Sequence, residues 1–216
     1  METLNRKERK RENKKNLILS AAKELYARKG NSFTMQGVAE LSEMAKGSLY
    51  LNFKDKDALM EALVVDVLSR LKSLIEEMSQ GKKTAMELIM AMGLAYVRFY
   101  KEYPLEFSLI GAMDFLSPGI GWAEAPQSEM GFMVKNFKDH ILKLIDRGIT
   151  DGSIRSDLDI ELSSFLVSQT VKTFVQKIAQ VEKESDVKLL SGYDAQTLIT
   201  GLFEMLKRAF VPKDKP

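Results

Sequence analysis

Apolar residues recur along this chain at three- and four-residue steps and almost nowhere in strict alternation. Leu17, Ile18, Ala21, Ala22, Leu25 and Tyr26 fall on one face of a helix. Arg28, Lys29 and then Gly30 form a stop signal, which predicts a first helix over 13–29. Thr34 is placed to cap a short helix that runs through 41. The stretch "LSEM" makes a tight turn, and a second short helix covers 45–51. Asp55 caps a long helix carrying Ala58, Leu59, Ala62, Leu63 and Val67 at helical spacing, and it ends near Gly81. Further helices are predicted over 84–102, 105–115, 128–147, 160–181 and 195–210, separated by "SPGIGWAEAP", "GITDGSIRSDLD" and "EKESDVKLLSGY".

No period-2 strand and no internal repeat stand out. The expected fold is all-α: an N-terminal three-helix helix-turn-helix head and a larger C-terminal helical body, about nine helices in total. The expected organisation is a basic extension over 1–12, the helix-turn-helix head over 13–56 and the body over 57–216.

Composition narrows the chemistry. The 216 residues are 45% hydrophobic and 29% charged, an ordinary globular balance. There is no cysteine, so disulfides and thiolate metal sites are excluded. The one histidine, His140, follows Asp139 on a polar helix face and reads as a surface residue. No nucleophile–base pair, phosphate loop or metal spacing occurs, and the adjacent Glu76 and Glu77 point apart on a helix. No enzyme activity, cofactor or metal is expected. The N-terminus has basic residues but no apolar run after them, and the apolar stretch 88–97 is too short to span a bilayer. A cytoplasmic protein with no membrane partner is expected.

Charge is uneven. Residues 1–56 hold thirteen cations and seven anions, a net +6, while the whole chain carries +2, which leaves −4 for the other 160. A basic head on an acidic body fits a polyanion partner for the head; it also fits a solvated tail. Two short helices joined by a tight turn make helix-turn-helix geometry, in which the second helix enters the major groove of DNA. Gly47 then leads that helix without a side chain to hold the backbone away from DNA. Lys46 and Ser48 flank it as donors, Tyr50 offers a hydroxyl to phosphate, and Leu49 and Phe53 pack inward. Alternatively, Gly47 serves only close packing between helices.

The stretches "ILSAAKELYARKG" and "FTMQGVAELSEMAKGSLYLNFKDKDALMEAL" resemble the N-terminal domain of the TetR/AcrR family of bacterial transcriptional regulators. The close match covers 17–63. The resemblance implies an Ω-shaped homodimer on a pseudo-palindromic operator, usually a repressor. Carried onto matched positions, Thr34 and Gln36 begin the second helix near the DNA backbone. Lys46, Gly47 and Ser48 lead the recognition helix, and Tyr50, Lys54 and Lys56 hold phosphates. The chain departs from the family pattern in the turn, with Ser42, Glu43 and Ala45 where small residues, glycine and a capping hydroxyl are usual. The recognition helix holds no arginine or asparagine over its predicted span, so shape readout is expected to matter. The run "RKERKRENKK" either continues the first helix or stays unstructured, and either touches DNA or is solvated.

The body is rich in Met and Phe, most of them core by spacing. In the resembled family the central helices enclose an inducer. The expected pocket is walled by Met92, Tyr96, Phe99, Phe107, Ile110, Phe132 and Phe137, for a mainly apolar or aromatic small-molecule effector. Trp122 reads as an anchor of its loop, with a pocket lid or a dimer contact as the alternatives. On the last two helices Phe165, Phe174, Leu198, Leu202, Met205 and Leu206 form stripes suited to a four-helix bundle between two subunits. The reading is therefore a ligand-responsive DNA-binding regulator: a homodimer on double-stranded operator DNA, released by its effector. The competing reading is an all-α homodimeric interaction protein with weakened or lost operator binding.

Overall fold

The computed structural model describes residues 5–116, 128–183 and 192–212. Regular structure among the described residues is entirely helical: α1 (Arg6–Lys29), α2 (Met35–Leu41), α3 (Lys46–Asn52), α4 (Lys56–Ser79), α5 (Ala85–Glu102), α6 (Pro104–Leu116), α7 (Glu129–Asp151), α8 (Ile160–Lys183) and α9 (Ala195–Phe210), with one 3₁₀ turn over Gly30–Ser32. Trp122 and its loop lie outside the described residues.

Local chemistry sets most of the boundaries. The Thr34 hydroxyl accepts from Gly37 N at 3.1 Å and Asp55 Oδ1 from Ala58 N at 2.8 Å, so both predicted caps form. Gly30 has φ 55°, a conformation open to glycine, and ends α1. The first helix is longer than its apolar face predicts. It starts at Arg6, because Asn5 and Glu8 form a capping box: Asn5 Oδ1 accepts from Glu8 N at 3.0 Å, and Glu8 Oε2 from Asn5 N at 2.8 Å. Residues 5–17 are all exposed, Leu17 included, so nothing packs on these turns and the basic run is helical by its own capping and propensity. Only Ile18, Ala21, Ala22 and Leu25 of α1 are buried.

At about 1.5 Å per residue α4, with 24 residues, is about 36 Å long and forms the spine. It packs against α1, α5, α6 and α7. One buried cluster runs without a break from Ile18, Val38, Leu49 and Phe53 through Leu59, Leu63 and Val67 to Phe99, Phe107, Leu109 and Ile178. A second joins Met86 and Met92 to Ile141, Leu144, Ile145, Ile154 and Phe210.

The connector after α7 does more than turn. Ile154 is 1% exposed and fills the notch over Gly148, where an added β-carbon would lie 2.4 Å from its Cδ1. Asp151 Oδ2 accepts from Ala85 N at 2.9 Å, and Ser153 Oγ from Met86 N at 3.2 Å. The end of α7 thereby caps the start of α5, which also has its own capping box from Thr84 and Glu87.

Candidate nucleic-acid interface

The α2–turn–α3 unit is built on Val38, Ala39, Leu49 and Phe53, all buried beneath it. Ser42 Oγ returns to Val38 O at 2.7 Å and closes α2. The chain then reverses through Glu43, whose φ of 54° is left-handed, and Met44 N bonds Ala39 O at 2.9 Å. Ala45 stands at the N-cap of α3 and supplies no side-chain hydrogen bond. The first N–H groups of α3 are therefore uncapped by protein side chains.

The outward face of α3 carries Lys46, Gly47, Tyr50 and Leu51. A β-carbon built on Gly47 would meet nothing within 4 Å, so close packing inside the chain is not what this glycine serves. Ser48 is half-buried and Tyr50 exposed. The helix extends to Asn52, one residue beyond its predicted end, so it does contain an asparagine. That amide is turned inward, its Nδ2 donating to Ser48 O at 2.8 Å. Leu51, at 87% the most exposed large apolar residue among those described, had no place in the sequence-derived site. Its position four residues after Gly47 was the available signal.

The remaining predicted residues separate. Thr34 keeps a hydroxyl proton free to donate while its oxygen caps α2. Gln36 Nε2 donates to Glu40 Oε1 at 2.8 Å, and both are on α2. The Lys54 side chain is 83% exposed, with Asp55 at 3.8 Å. Lys56 is the exception: its ammonium lies 4.7 Å above the Phe33 ring and donates to Asn31 O. It ties α4 to the turn after α1, since an ammonium is drawn both to a ring face and to a free carbonyl.

The head meets the body through a second set of contacts. Lys23 on α1 lies 3.2 Å from Asp66 of α4 and 3.6 Å from Glu106 of α6. Tyr26 Oη donates to Ser108 O at 3.5 Å, and burial raises the pKa of that phenol.

In the body, the proposed pocket set divides. Tyr96, Phe99, Phe107 and Ile110 share the first cluster, with the Tyr96 and Phe107 rings 5.0 Å apart and Tyr100 and Phe107 5.3 Å apart. Met92 belongs to the second cluster, against α7. Phe132 is 59% exposed, because it lies across α7 from the buried stripe of Met130, Ile141 and Ile145. Phe137 is on that stripe but 42% exposed. The sequence reading missed Gln176 of α8: its Nε2 is buried with no hydrogen-bond partner among the described residues, 3.8 Å from where a β-carbon on Gly111 would stand. His140 is an exposed residue of α7, its pKa lowered by partial desolvation and by Lys143.

Of the association set, Leu202 is buried inside its own chain, where the α9 stripe turns toward the core, and Phe174, Leu198 and Leu206 are half-buried. Leu162, Phe165, Leu166 and Met205 remain exposed on α8 and α9, beside the open Gly201.

A helix-turn-helix with an outward cationic and tyrosyl face, seated on an all-helical body, defines a DNA-binding regulator. The comparisons agree. Residues 18–63 match the model of the bacterial regulatory proteins of the tetR family. The chain is 26% identical over 199 residues to the uncharacterized HTH-type transcriptional regulator YhgD of Bacillus subtilis, spanning 88% of this chain and 96% of that one. It is 24% identical over 192 residues to the fatty acid metabolism regulator protein of the same organism, spanning 86% and 93%. It shares its fold with the crystal structure of FadR from Bacillus subtilis in complex with stearoyl-CoA, with a TM-score of 0.67 and 20% identity over 88% of this chain and 96% of that one. Residues 18–63 thus carry the DNA-binding segment described for the tetR family of bacterial regulatory proteins, and the whole chain is similar to regulators built around it.

Proposed function

We propose that this regulator is a homodimeric repressor that leaves its operator when a long-chain acyl effector binds between α5, α6 and α8. The observation that carries the DNA-binding part is the outward face of α3. Lys46, Gly47 and Tyr50 stand clear of the protein over a core formed by Leu49 and Phe53. Lys46, Tyr50 and Lys54 hold phosphates, and Thr34, Gln36 and Ser48 donate at the edge of the contact. Lys56 acts mainly as a strut for this surface, given its seat over Phe33.

Support for the effector comes from two sides. Tyr96, Phe107 and Ile110 belong to one apolar and aromatic cluster, and the buried Nε2 of Gln176, close to Gly111 of the same α6, offers a donor to a carbonyl oxygen. Relatives of this chain include a fatty acid metabolism regulator, and the chain shares the fold of a regulator crystallised with stearoyl-CoA. The body, residues 57–216, also supplies the dimer contact through Phe165, Leu166 and Met205. Their apolar side chains are exposed on two neighbouring helices, and pairing them across a two-fold axis removes them from water. Effector binding shifts the spacing of the two heads away from one helical turn of DNA, about 34 Å.

The test is fluorescence anisotropy on DNA from the protein's own promoter. Wild type binds at moderate salt, Tyr50→Ala combined with Lys54→Ala does not, and stearoyl-CoA weakens binding about tenfold or more, a typical allosteric coupling. Binding that ignores acyl-CoA would overturn the effector assignment.

A second reading, an interaction dimer without operator binding, draws on Glu43 and Ala45. An anion in the turn and an uncapped recognition helix both work against DNA affinity. Absence of binding to any promoter fragment at moderate salt favours it.

A further inference from the structure

We infer that Gly47 and Leu51 together form a receptor for the 5-methyl group of a thymine, so that each half-site carries an obligatory thymine read by apolar contact. The inference rests on the operator-binding reading above and adds the base that is read.

Four residues apart on one helix, Gly47 and Leu51 lie one above the other on the same face. At Gly47 the space a β-carbon would occupy is empty for at least 4 Å. The helix backbone is therefore bare at that point, and Leu51, 87% exposed, rises beside it. The result is a shallow hollow with a backbone floor and one aliphatic wall. In the major groove thymine alone presents a projecting apolar group, its methyl, and apolar side chains read it by contact.

Near the hollow, one polar alternative on α3 is engaged and one is partly covered. The amide of Asn52 bonds Ser48 O, and Ser48 is half-buried. Lys46 and Lys54 flank the hollow at its two ends, where they match phosphates and orient the helix without reading sequence. A single exposed leucine on a protein surface needs no explanation. Here it stands on a helix of seven residues, beside an empty glycine and between two exposed lysines. That charge pattern suits a polyanion, and the apolar centre suits the one apolar group a base pair displays.

The test uses the full chain to select a duplex from a randomised library. Each thymine of the selected duplex is then replaced by deoxyuridine, which removes the methyl and leaves the pairing edge intact. At one thymine in each half-site the replacement weakens wild-type binding about fourfold, the worth of one methyl removed from water. Leu51→Ala binds the thymine duplex weakly and no longer distinguishes it from the deoxyuridine duplex. Gly47→Ala, whose added carbon meets nothing within the chain, fills the hollow and weakens binding to the thymine duplex. Both positions are exposed, and alanine favours a helix over glycine, so neither variant melts below wild type. Equal wild-type binding with and without the methyl at every position overturns the inference while leaving operator binding intact. So does full discrimination by Leu51→Ala. Failure of wild type to select any duplex overturns the operator reading and this inference together.

Discussion

Two residues of the turn between α2 and α3 hold the recognition helix under unfavourable local conditions. Glu43 adopts φ 54°, a region that costs an ordinary residue about 1 kcal/mol or more and glycine little. Ala45 leaves the start of α3 without a cap, worth about 1 kcal/mol for serine. Glu43→Gly is expected to raise stability by about 1 kcal/mol in urea denaturation, and to raise DNA affinity by removing an anion near phosphate. Ala45→Ser is expected to stabilise by a similar amount with affinity unchanged or higher. A loss of affinity in that variant would mean that the serine side chain meets DNA instead of the helix. These two departures from the family pattern were visible in the sequence. What they do to the backbone was not, because a left-handed glutamate and an unoccupied cap are facts of conformation. Leu51 shows the same limit: its spacing from Gly47 is legible, but its 87% exposure is not.

At the scale of elements, the long amphipathic helices were legible and their ends were legible where a side chain caps them. Thr34 and Asp55 do cap α2 and α4 as expected. The start of α1 was left open between helix and unstructured chain, because Asn5 and Glu8 sit ahead of the apolar face and periodicity cannot see turns that bury nothing. Helix pairing was also hidden. Gly93 on α5 is an example: an added β-carbon would lie 2.3 Å from Cε1 of the buried Phe203 on α9. No feature of the local sequence says which ring crosses there. Gly93→Ala is expected to destabilise the protein by about 1–3 kcal/mol, the usual range for overpacking, read from the denaturation midpoint. Recovery in a double variant with Phe203→Leu would tie the loss to that crossing.

For the whole molecule, the question is how the head senses the body. The continuous core from α1 to α8 makes the two inseparable by packing. Lys23 adds a specific connection, since it reaches both Asp66 on the spine and Glu106 on α6, with its side chain only 19% exposed and that of Glu106 16% exposed. A double-mutant cycle with Lys23→Ala and Glu106→Ala is expected to give a coupling of about 0.5–1 kcal/mol, the upper part of the range for surface pairs. The same variants are expected to weaken the response to effector more than the binding of DNA alone, because Glu106 precedes Phe107 on α6. A coupling within error of zero would remove Lys23 from the path between head and body.

The grip of Asp151 and Ser153 on the first residues of α5 has a mechanical corollary. A beam clamped at one end can deflect only toward the other. The clamped end is near Ala85, held by two acceptors from the end of α7 and by Arg147 on Lys83 O at 2.7 Å. The far end runs into Tyr103 and Pro104, where it is held by side chains instead of backbone caps: Arg98 pairs with Glu77, Lys101 donates to Gln196 Oε1 of α9, and Arg70 lies over the Tyr103 ring. Any load applied midway, at Tyr96 or Phe99, is therefore delivered to the junction with α6, next to Glu106 and its lysine. Amide exchange on adding an acyl ligand is expected to change over 99–110 and to stay level over 83–88. Equal change at both ends would mean that the beam is not clamped.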